Sequence, residues 1–130
     1  MKNTVRKKIK TISLSLQQPD YIKMINLRDF KINLKELEYL CQFAKNNTFL
    51  TDLNFSHNDL DNEGAKLISE LLKSNQKLKE INLGWNKIEK EGIKLISNSL
   101  LTHNGLQQIY LSGNKIDKEG ALQVPKKKKY

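Results

Sequence analysis

Apolar and polar positions change rhythm at regular intervals along this chain. "LTDLNF" and "LKEINL" alternate, so Leu53 and Phe55, and likewise Ile81 and Leu83, fall on one face of a short strand. A few residues later the spacing becomes helical, at Leu67, Ile68, Leu71 and Leu72, then at Leu95, Ile96 and Leu100. Acids at Asp61, Glu89 and Asp117 mark where these helices open, because helix N-termini favour negative charge. Gly64, Gly92 and Gly120 follow three residues later and predict close approach of each helix to the strand layer.

The rhythm repeats. Segments 50–77 and 78–105 agree at 10 of 28 positions without a gap, and residues 106–124 continue in register as a partial unit. Residues 22–49 keep the apolar positions but carry Phe30 where the others have Asn, and Glu36 where they have Gly. One strand and one helix cannot bury their apolar faces alone, so the units must stack, with a parallel sheet on one side and helices on the other. This α/β arrangement explains Asn58, Asn86 and Asn114. There the chain turns inward and strands backbone groups, which a buried amide satisfies as donor and acceptor, forming a ladder along the stack.

The pattern L-x-x-L-x-L-x-x-N-x-L, with "NEGAKLI", "KEGIKLI" and "KEGAL" following, resembles leucine-rich repeats of the ribonuclease-inhibitor-like class. Similar repeats occur in NOD-like receptors, Ran GTPase-activating proteins and tropomodulins. The resemblance implies a right-handed β-α superhelix, a solenoid with strands on its concave side and helices on its convex side. Residues 1–21 read as a basic segment with a stunted capping strand, "IKTISLSL" at 9–16. Residues 22–124 are the repeat domain, and residues 125–130 are a basic tail in which Pro125 ends the last helix after about one turn. The earlier helices run to Ser74 and Thr102, so the C-terminal end of the stack is expected to be partly uncovered and to favour self-association.

Charge changes the picture less than its total suggests. The formal net charge is +9, but nine of the 23 basic residues lie in residues 1–10 and 126–129. Residues 11–125 hold 14 basic groups against all 14 acids and are neutral overall. Nucleic acid or anionic membrane is therefore an alternative partner through the tails alone. The lone Cys41 excludes an internal disulfide, sits at helical spacing with Leu37, Leu40 and Phe43, and reads as core. No secretory signal and no run of about 18 apolar residues is apparent, so the expected location is cytoplasmic, with the nucleus or a host cell reached from a bacterium as alternatives.

Candidate chemistry lies on the outward strand positions. The columns are Met24, Asp52, Glu80, Gln108; then Asn26, Asn54, Asn82, Tyr110; then Arg28, Ser56, Gly84, Ser112. A fourth, where the chain leaves the strand, is Asp29, His57, Trp85, Gly113. Asp52 beside Glu80 is an acidic spot for a cationic group, or a solvated pair offset by Lys23 or Lys79. Trp85, the single Trp, stands by His57 and Tyr110 as a binding anchor, or folds over the Asn loop. The partner-binding set is Asp52, Asn54, His57, Glu80, Asn82, Trp85, Gln108 and Tyr110. His57 and His103 read as surface residues on opposite halves of their units and do not form a metal site. No catalytic, metal or cofactor motif and no small-molecule substrate is implied. The reading is a non-catalytic module that binds a protein, of unstated identity, on the concave face. Regulation of a GTPase is the alternative from the resemblance.

Overall fold

The computed structural model describes residues 22–125, with Lys7 and Lys10 besides. Of residues 9–16, expected as a strand, only Lys10 is described, and its backbone is helical; the rest, like residues 126–130, lies outside the described residues.

Strands and helices alternate: β1 (Met24–Asn26), α1 (Leu34–Ala44), β2 (Asp52–Asn54), α2 (Asn62–Ser74), β3 (Glu80–Asn82), α3 (Lys90–Thr102), β4 (Gln108–Tyr110) and α4 (Lys118–Ala121). Among the described residues the strands form one parallel sheet in chain order, with Asp52 opposite Glu80 and Glu80 opposite Gln108. A 28-residue period makes this register unavoidable, because like positions must meet if each unit is to cover the next. Ile25, Leu53, Ile81 and Ile109 point inward and are buried with Leu37, Ile68, Ile96 and Val124. Leu95, expected among the helix core, is instead exposed, since it lies one position round the helix from the fully buried Ile96.

The Asn ladder forms as the repeat pattern requires. Asn86 Oδ1 accepts from the Asn58 and Leu60 N–H groups of the preceding unit, at 3.0 and 2.9 Å. Its Nδ2 donates to the carbonyls of Phe55 and Leu83, at 3.1 and 2.9 Å. Asn58 reaches back to Leu27 O and Asn114 to Leu83 O, so each rung bonds one unit behind.

The helix caps are shared differently from the sequence expectation. Asp61 and Asp117 accept first-turn N–H groups, but Glu89 makes no side-chain cap bond. Asn62, at the start of α2, supplies it from the neighbouring unit, accepting from the Glu89 and Gly92 N–H groups at 2.9 and 3.1 Å. The glycines are also placed for another reason. A Cβ on Gly92 would meet Asn62 Oδ1 at 2.5 Å, Ile88 Cγ2 at 2.8 Å and Ala65 Cβ at 2.9 Å. The close approach is therefore to the preceding helix and the entering loop, and not to the strand layer.

A second ladder runs along the other turn, and it corrects the surface reading of His103. This residue is only 1% exposed. Its Nδ1 accepts from the Leu106 N–H at 2.9 Å, which leaves Nε2–H to donate to Asn75 O at 2.7 Å. Asn75, one period earlier, donates to Ala44 O and Asn47 O, and Asn47 accepts from Phe49 and Leu50 N–H groups. Asn47, Asn75 and His103 thus do for the helix-to-strand turn what the first ladder does for the strand-to-helix turn. At the C-terminal end the apolar positions Leu106, Ile109 and Leu111 are buried, so the expected gap in cover narrows to Leu101 and Leu122, at 72% and 83% exposure.

Candidate functional site

The outward positions of the sheet face away from the helices, and each expected column is brought together. Asp52, Glu80 and Gln108 pair across β2, β3 and β4, as do Asn54, Asn82 and Tyr110. All six are half-buried, lying in a row whose neighbours stand about 4.8 Å apart. Asp52 also accepts from the Thr51 hydroxyl. Among the described residues neither Asp52 nor Glu80 is ion-paired, so the offset expected from Lys23 or Lys79 is not made.

Three residues after each strand the chain passes through the left-handed region, at Asp29 (φ 60°), His57 (57°), Trp85 (56°) and Gly113 (75°), and in the first two units it does so again at Lys31 and Asp59. Three of the first four are not glycine, and each costs on the order of 1 kcal/mol in backbone strain. The shared bend aims their side chains along one rim of the sheet. There the His57 and Trp85 rings stack, with centroids 5.6 Å apart and planes 13° from parallel. On the other side Gly113 lies so close that a Cβ would come within 2.5 Å of Trp85 Cδ2. Trp85 is held between its two neighbours yet stays 62% exposed. The described ring contacts of Trp85 are with His57 and not with Tyr110.

Sequence reasoning placed Arg28 in a column but left it out of the site. Its Nη2 lies 3.5 Å from His57 Nε2, one unit and one residue away. A diagonal neighbour of this kind is visible in the sequence only once the register is known. Because guanidinium can only donate, Nε2 accepts, and His57 carries its proton on Nδ1. The Asn column is also oriented. Asn26, Asn54 and Asn82 each turn Oδ1 onto the backbone N–H two residues on, at Arg28, Ser56 and Gly84, with distances of 3.1, 2.9 and 2.9 Å. An N–H can only meet oxygen, so every amide Nδ2 points outward.

Elsewhere Cys41 is buried, as expected, and burial, with the Glu70 charge adding to it, pushes its thiol up to about 12. Among the described residues no three His, Cys, Asp or Glu side chains come together in a way that could hold a metal ion.

A family model described as a leucine-rich repeat matches residues 46–69 and 74–97, which include the Asn58 and Asn86 units. Those two segments are similar to leucine-rich repeats, and the chain has the matching fold of alternating parallel strands and helices. Two solved structures share this fold. One is the actin-binding site 2 of leiomodin-1, with a TM-score of 0.77 and 20% identity, over 85% of this chain and 66% of that one. The other is a Caenorhabditis elegans tropomodulin C-terminal domain, with a TM-score of 0.79 and 14% identity, over 88% of this chain and 72% of that one. The chain thus spans just under two thirds of the leiomodin chain's length. No curated protein matches the sequence.

Proposed function

We infer that this leucine-rich-repeat array is a protein-binding module whose contact surface is the open, concave side of the sheet. The observation that carries the reading is Trp85, a large indole that is 62% exposed yet fixed between His57 and Gly113. A rigid exposed aromatic buries much area on contact and loses little freedom, which is why Trp dominates binding hot spots. Asp52, Asn54, Glu80, Asn82, Gln108 and Tyr110 surround it on the same face and supply polar specificity. The module binds and does no chemistry of its own.

Likeness in fold to an actin-binding site of leiomodin-1 makes actin the first defined partner to test. Full-length wild type, Trp85→Ala and the convex-face variant Lys94→Ala are compared in actin co-sedimentation and in cross-linked capture from cytosolic extract. Trp85→Ala should keep the circular dichroism spectrum and lose the captured partner, and Lys94→Ala should keep both. Capture unaffected by Trp85→Ala rejects the concave face.

A further inference from the structure

Where the chain leaves β2 and β3 the open face has an unusual hydrogen-bonding balance: its amide and strand-end carbonyl oxygens are spent and its donors are free. Asn54 Oδ1 takes both the N–H and the hydroxyl of Ser56, and Asn82 Oδ1 takes the Gly84 N–H. The strand-end carbonyls are used as well, with Ser56 O accepting from Asp29 N–H, Gly84 O from His57 N–H and Ser112 O from Trp85 N–H. The outward Nδ2 groups of Asn54 and Asn82, His57 Nδ1–H, Trp85 Nε1–H and the remaining Arg28 N–H groups have no partner among the described residues. Arg28 is not ion-paired there either; of the nearby acids, Asp59 is held by Lys87 at 3.1 Å, and Asp29, at the outer end of the rim, is exposed and makes no ion pair among the described residues. A surface of amide, imidazole and indole donors with a guanidinium that makes no ion pair and an aromatic wall is complementary to a negatively charged acceptor.

Two anion sources are disfavoured by the rest of the face. Asp52 and Glu80 lie on the same strands, roughly 13 Å or four extended residues from the Arg28–Ser56–Gly84 row. A polyanion such as nucleic acid, or a sheet of anionic lipid, would press its charge against those carboxylates. A single carboxylate on a peptide would not.

We propose that the donor patch of Arg28, Asn54, His57, Asn82 and Trp85 binds an aspartate or glutamate side chain of an extended segment of the partner protein. The carboxylate sits over Arg28 and the amide donors, and the flanking residue packs on the Trp85 indole. This rests on the reading of the open face as a protein-contact surface and specifies the chemistry of what it takes.

The test is selection of a random twelve-residue phage-displayed peptide library on the immobilised full chain. Titration of the selected peptides follows, read by the fluorescence of Trp85, the single tryptophan. The expected result is a consensus with a fixed Asp or Glu. Replacing that acid by its amide, or making Arg28→Gln in the protein, should each weaken binding by at least about tenfold, and the two changes together little further. A basic or uncharged consensus overturns the proposal. So do an acidic consensus that Arg28→Gln leaves intact, no enrichment over the bare support, and Arg28-dependent binding of phosphatidylserine vesicles. If capture depends on Trp85 but no acid is selected, the protein-binding reading stands and this inference falls.

Discussion

Replacing Asn86 by Ala tests the ladder at its central rung. Asn86 is 5% exposed and its Oδ1 satisfies the N–H groups of Asn58 and Leu60, both themselves buried. Its donor side is partly redundant: Phe55 O also receives Asn58 Nδ2 at 3.0 Å, and Leu83 O receives Asn114 Nδ2 at 2.8 Å. The cost therefore comes mainly from two orphaned buried N–H groups, at about 1–3 kcal/mol each. Water entering the vacated space recovers part of it, so the loss should be about 3 kcal/mol. For a domain of this size that lowers Tm by on the order of 10 °C. Two controls separate the ladder from any Asn deletion. Asn114→Ala removes an acceptor from one N–H, that of Ile88, at a half-buried site, and should cost about half as much. Asn26→Ala, on the open face, removes an acceptor from the exposed Arg28 N–H and should cost under about 1 kcal/mol. Urea unfolding followed by circular dichroism measures all three. If Asn86→Ala costs no more than Asn26→Ala, the ladder is not what holds adjacent units together.

Other outcomes follow from the second turn and from the core. Asn47 and Asn75 occupy the positions equivalent to His103, so His103→Asn should stay within about 1 kcal/mol of wild type, while His103→Ala loses about 2 kcal/mol by removing the ring acceptor of the Leu106 N–H and the donor to Asn75 O. Equal losses in chemical denaturation would refute the second ladder. The Cys41 thiol, held at about 12 by burial, should resist iodoacetamide in the native protein at pH 8 and react only after unfolding. A thiol whose pKa is raised on folding contributes stability that is complete below its unfolded value and lost as pH rises toward 12. Cys41→Ala should therefore flatten the alkaline end of the Tm profile, and rapid labelling of the folded protein at pH 8 would show the site to be open.

What could be read from residues alone was the recurrent part of the protein. Strand alternation, helical spacing and the 28-residue return of Leu, Asn and Gly each encode a local preference that the stack then repeats, so Asn58, Asn86 and Asn114 announce the ladder without coordinates. The second ladder was present at the same period but escaped notice, because Asn, Asn and His at 47, 75 and 103 differ in type and share only a hydrogen-bonding role. Packing between units decided the rest. Asn62 caps a helix 28 residues on, Gly92 clears room for Ala65, Arg28 meets His57 diagonally, and the amides of Asn54 and Asn82 turn their donors outward. Those outcomes depend on which atoms of a neighbouring unit come within about 3 Å, a distance that periodicity sets only to the nearest residue.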